Sequence, residues 1–135
     1  MTPEEIIQKV STCLQKRQEV IFAYLFGSFI DPEMPGFRDI DVGIFIKPYS
    51  SNRAIELEIE LSEEIGKAIK RSYPVDVVVI NELNPLFARK VITGKFLFTK
   101  NEDLWIDFVV NTSMKADDMA PLFYQSFKEA YLDED

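Results

Sequence analysis

Ile6, Ile7, Val10, Cys13 and Leu14 recur at helical spacing. Ahead of them Thr2, Pro3 and Glu5 form an N-cap, a first-turn proline and a capping-box acid, so a first helix is predicted to about residue 18. Val20–Phe26 is β-branched and aromatic and stops at Gly27, which predicts a buried strand. Asp31-Pro32-Glu33-Met34-Pro35-Gly36 reads as a loop, and residues 39–46 as a second strand ended by Lys47-Pro48. Residues 52–71 predict a helix capped by Ser51 or Asn52. Its core stripe is Leu57, Leu61, Ile65 and Ala68 or Ile69, flanked by Ile55 and Ile59, and its glutamates form a solvated face. After Pro74 comes a third strand over residues 75–80, then a short helix over 83–92 ended by Gly94. A short strand, Lys95–Thr99, follows, and then a helical pattern from 102 to 131, broken near Ala120-Pro121. Strands alternating with helices, without a run of hairpin turns, give an α/β or α+β sheet covered by helices. The pattern makes residues 1–135 one domain, with a core over 1–99 and a C-terminal helical extension over about 100–135.

Composition narrows the chemistry. The 135 residues contain no histidine, which excludes Ser-His-Asp and Cys-His catalysis, His-ligated zinc and an imidazole base. Asp and Glu number 23 against 15 Lys and Arg, a net charge of −8. That balance disfavours direct nucleic-acid binding, which needs clustered cations, and suits a basic protein partner. Carboxylate ligands fit Mg²⁺ better than zinc. Cys13 lies in an apolar-periodic stretch and reads as a buried structural thiol. The acidic N-terminus lacks a signal peptide's basic start, and no apolar run is long enough to span a membrane; a cytoplasmic protein is expected.

Three features carry candidate chemistry. Gly27-Ser28 follows a buried strand, where it is either a plain turn or a place for backbone N–H groups and a hydroxyl to meet phosphate. Asp39-Ile40-Asp41 opens an apolar strand, and alternation puts both carboxylates on one face. They repel each other unless a cation or water lies between them. A calcium loop is excluded, because the glutamate it needs at its twelfth position is Ser50. Asp76 interrupts the apolar run Val75-Asp76-Val77-Val78-Val79-Ile80 and calls for a counter-ion, a strand end or a metal. Three aspartates at the starts of two strands can converge on a pair of Mg²⁺ ions for in-line phosphoryl or nucleotidyl transfer.

Gly27-Ser28, ten intervening residues and Asp39-x-Asp41, with Asp76 as third acid, resemble the signature of the minimal nucleotidyltransferases of the DNA polymerase β-like superfamily. Leu83-Asn84-Pro85-Leu86-Phe87, Val91-Ile92 and Gly94-Lys95-Phe96-Leu97 are similar to that family's following helix, turn and strand. The resemblance implies a mixed sheet flanked by helices, with C-terminal helices. It implies that Gly27 and Ser28 hold the phosphates of ATP, that Asp39 and Asp41 ligate two Mg²⁺ ions, and that Asp76 ligates the catalytic ion and assists deprotonation of the attacking hydroxyl. Chains of this kind are similar to antitoxins paired with HEPN-type ribonuclease toxins, some of which transfer AMP to a toxin tyrosine. Arg38 stands where many relatives have Ser or Thr; it is either a phosphate contact or a solvent-exposed turn residue.

Two other functions compete with transfer to a protein hydroxyl. One is a catalytically silent antitoxin that masks its toxin. The late aromatics Trp105, Phe108, Phe123, Tyr124, Phe127 and Tyr131 would be the domain's own core or a partner or oligomer face. The other is an aminoglycoside-type nucleotidyltransferase, which needs an acceptor pocket that nothing here supplies.

Overall fold

The computed structural model describes residues 1–31, 33 and 39–132. Its elements are α1 (Pro3–Gln15), β1 (Val20–Phe26), a 3₁₀ turn (Ser28–Ile30), β2 (Ile40–Ile46), α2 (Ser51–Ala68), β3 (Val75–Val79), α3 (Pro85–Ile92), β4 (Lys95–Thr99) and α4 (Glu102–Phe127), with a wider helical turn over Lys128–Leu132. Most of the loop expected at 31–36, and Arg38, lie outside the described residues.

The four strands form one mixed sheet in the order β3-β2-β1-β4. β1 runs antiparallel to β2 and β4, and β2 runs parallel to β3. The two central strands are covered on both faces, which is why their sequences are almost continuously apolar. On one face, Ile6, Val10 and Leu14 of α1 and Leu57, Leu61 and Ile65 of α2 meet Ala23, Leu25, Ile40, Val42, Ile44 and Ile46. Each such Leu or Ile, fully buried, contributes roughly 1.5–3 kcal/mol. On the other face Phe22, Tyr24 and Phe45 pack with Ile80, Val91, Trp105 and Phe108. A register shift between Val20 and Phe22 lets Val20 join the α1/α2 face although Phe22 points the other way.

Local chemistry sets most boundaries. Thr2 Oγ1 accepts from the Glu5 amide, as the capping pattern requires. Asn84 Oδ1 accepts from the Leu86 amide at the start of α3, and Asn101 Oδ1 from the Leu104 amide at the start of α4. Trp105 Nε1 donates to the Tyr24 hydroxyl at 2.8 Å, fastening α4 to the sheet.

Four expectations are corrected. Ser50, not Ser51 or Asn52, caps α2, accepting from the Arg53 amide. Ile55 and Ile59 do not flank a core; they are 56% and 67% exposed, because α2 packs through one narrow stripe. Its glutamates are more than a solvated face. Glu60 and Glu64 pair with Arg17, and Glu58 accepts from the Val79 amide at 2.8 Å. Finally, α4 is not broken at Ala120-Pro121 but continues through Pro121. Pro121 and Asp117, four residues back, are both exposed, so water can serve the carbonyl that proline's missing N–H leaves free.

Candidate active site

The candidate site lies at the end of the sheet where β1 finishes and β2 and β3 begin. Residues of β2 alternate between the two faces. Ile40, Val42 and Ile44 enter the α1/α2 core, so Asp41, like Gly43 and Phe45, faces the α3/α4 side. Asp39, two residues before Asp41, shares that side. In the parallel β2–β3 pair Asp41 is the register partner of Asp76, and in the antiparallel β1–β2 pair it is the partner of Phe26. A row therefore crosses three strands, Phe26, Asp41, Asp76, with neighbouring strands roughly 4.8 Å apart.

The row is asymmetric. Asp41 is half-buried, while Asp39 and Asp76 are exposed. Burial, then Asp76, then Asp39 push the Asp41 carboxyl above the usual carboxylate range. Among the described residues, no Lys or Arg forms an ion pair with any of the three. On the Phe26 side the wall is aromatic: Phe26 meets Phe87 of α3 edge-on, with ring centroids 6.0 Å apart. The spacing of the glycine and the acids does not point to this wall, although an aromatic ending a strand just before Gly27 marks its position.

Gly27 adopts φ +80° and ψ −157°, a conformation that side chains rarely take. A Cβ there would overlap Asp41 Oδ2, so the turn fits closely over the carboxylate. Ser28 starts the 3₁₀ turn that follows, and the Asp31 amide donates to its carbonyl at 3.1 Å. The structure thus brings Gly27, Asp41 and Asp76 together, with Asp39 on the same face and Ser28 next in the chain.

Among the described residues, no three Cys, Asp or Glu side chains are gathered tightly enough to hold an ion in the conformations they adopt. The donor chemistry nevertheless suits a hard divalent cation. The three groups are carboxylates at the same end of adjacent strands, turned to one side of the sheet and without ion-pair partners among the described residues, and ionising Asp41 beside the others is unfavourable. Cys13 is a different case: it is buried within the α1/α2 core, and burial first, then Glu64, pushes its thiol up, as suits an inert structural residue.

A mixed sheet with helices on both faces, and aspartates on adjacent strands beside a glycine turn, define a class of nucleotidyl-transferring folds. The chain belongs to the polymerase β nucleotidyltransferase family, whose model matches residues 8–103. Among curated proteins, none matches the sequence. Solved structures share the fold over nearly the whole chain. One is a complex of a tri-AMPylated Shewanella oneidensis HEPN toxin with its MNT antitoxin, with a TM-score of 0.67, 21% identity, and 98% of each chain covered. Another, a toxin–antitoxin with AMP-PNP, has a TM-score of 0.69 and 22% identity over 95% of this chain and 96% of that one. A third, the toxin–antitoxin MntA-HepT, has a TM-score of 0.65 and 21% identity over 97% of each. Among the described residues, no helix is long and apolar enough to cross a membrane.

Proposed function

We propose that the chain is an antitoxin that transfers AMP from ATP to a tyrosine hydroxyl of a HEPN-type toxin and silences it. The observation that carries this reading is the pairing of Asp41 with Asp76 across β2 and β3, with Asp39 on the same face. Family membership, and the toxin complexes among the structures that share the fold, support it.

The Gly27-Ser28 turn would hold the phosphates through backbone N–H groups and the serine hydroxyl. Asp39, Asp41 and Asp76 would hold two Mg²⁺ ions, which when bound neutralise charge on the attacking and leaving oxygens. Asp76, the exposed end of the row, would take the proton of the incoming hydroxyl. The new bond joins that oxygen to the α-phosphorus, and the bond to the bridging oxygen breaks, releasing pyrophosphate.

The test is labelled ATP with Mg²⁺ and a HEPN polypeptide, sought first in the reading frames next to that of this chain. Label should pass to that polypeptide, and Asp41→Asn should cut transfer at least ~100-fold. No label with the wild type, or undiminished label with Asp41→Asn, overturns the reading. If the chain transfers nothing and Asp39→Asn/Asp41→Asn still suppresses toxicity in full, the chain is instead a binding antitoxin.

A further inference from the structure

Apart from one ion pair, helix α4 is held to the domain by one side. Thr112 and Ala116 are buried, Trp105 and Phe108 are half-buried, and Trp105 and Phe108 pack against the sheet. Pointing the other way are Ile106, Val110 and Met114, exposed by 45, 48 and 61%. Their spacing of four residues advances by only about 40° per step, so they form one continuous apolar stripe over more than two helical turns. Asp103, Asp107 and Asp118 fall in the same sector of the helix and are all exposed. Asp117, also in that sector, is paired with Arg89 of α3. Among the described residues the other three aspartates make no ion pair. Lys115, also on this stretch, lies outside the sector.

An apolar ridge with an acidic rim states what can cover it. A second copy of the chain, itself at −8, would set aspartate against aspartate, and like charges brought together at an interface are costly. A helix that carries its own apolar stripe between Lys or Arg residues matches both features at once: the ridge supplies buried area and the rim supplies register and on-rate. We infer that the Ile106–Val110–Met114 face of α4 is the docking surface for a basic amphipathic helix of the partner protein. The partner class rests on the function proposed above; the helix chemistry rests on this face alone. The aspartates of the sheet end lie apart from this stripe in sequence and on other elements, so holding the partner and modifying it are separable.

The experiment is calorimetric titration of the HEPN polypeptide used in the transfer test above into the full chain, without ATP or Mg²⁺, using wild type, Val110→Lys/Met114→Lys and Asp107→Lys/Asp118→Lys. All substituted residues are exposed, and unchanged melting temperatures verify folding. The inference expects each double variant to weaken binding at least ~10-fold, and wild-type binding to weaken as salt rises while Val110→Lys/Met114→Lys loses most of that binding at every salt concentration. Binding within twofold of wild type in Val110→Lys/Met114→Lys overturns it. So does a wild-type chain that light scattering finds to be a dimer and that this variant makes monomeric. Loss of AMP transfer with binding intact and stripe-dependent would refute the function above and leave this surface standing.

Discussion

The α-carbon of Gly27 lies directly against the carboxylate of Asp41, so that a methyl group at residue 27 would overlap Oδ2. Two requirements meet at this one glycine: its φ of +80° and ψ of −157° belong to a region that costs other residues about 1–3 kcal/mol, and the space beside it is already taken. Gly27→Ala should therefore fail twice. Stability should fall by more than ~1 kcal/mol in urea unfolding. The Mg²⁺-dependent thermal shift with AMP-PNP should also vanish, because the turn can relieve the overlap only by moving away from the carboxylate. A variant that retained that shift would separate the turn from nucleotide binding.

Asp41 is kept ionisable against its surroundings. Partial burial and two neighbouring aspartates all disfavour its charge. Without metal, that charge is a net cost to the fold at neutral pH. Asp41→Asn keeps the shape and removes the repulsion. It should melt a few degrees higher than wild type when neither Mg²⁺ nor nucleotide is present, alongside the loss of the proposed AMP transfer expected above. An Asn variant that melts lower would mean that the carboxylate is structurally supported after all.

The sheet was legible because its central strands are buried on both faces and so read as unbroken apolar runs. Val20–Phe26 and Lys95–Thr99 are found with the bounds their sequences mark. Helix ends were less legible. Ser50, Ser51 and Asn52 can all cap a helix, and only the Arg53 amide shows which one does. No glycine follows the last turn of α2; Lys70 and Arg71 take positive φ instead, and the Arg71 amide donates to the Gly66 carbonyl. Within the site, alternation alone places Asp39 and Asp41 on one side. That Asp76 lies beside Asp41 depends on the parallel register of β2 and β3, a long-range pairing that no local pattern encodes. The close contact of Gly27 with Asp41 is tertiary in the same sense.

Gly43 is needed for a different reason from Gly27. It lies in the middle of β2 on the α3 side, where an added methyl would overlap Val91 Cγ1 and come within 3.2 Å of Ile80 Cγ2. Val91 and Ile80 are fully buried, so neither can swing into open space. Gly43→Ala should cost about 1–3 kcal/mol by overpacking. Val91→Ala alone should also destabilise, by leaving a cavity. The pair Gly43→Ala/Val91→Ala should recover part of the loss, because each change makes room for the other. Strict additivity in that double-mutant cycle, read by urea unfolding, would mean that the two residues do not touch.

Glu19 and Arg53 make the best-formed ion pair on the α2 side. Both guanidinium nitrogens Nε and Nη2 donate to the Glu19 carboxylate, at 2.9 and 2.6 Å. The hydrogen bond from Arg53 holds the Glu19 carboxyl below the ordinary value of 4.5, against the effect of burial. Since the folded value lies below the unfolded one, the stabilisation is fully present above the ordinary value and disappears as pH falls through the folded value. Glu19→Gln should melt lower than wild type at pH 7, and the gap should close on acidification below pH 4.5. Melting temperatures measured between pH 7 and 3 check this. A gap that stayed constant across that range would show that Glu19 contributes through packing rather than charge.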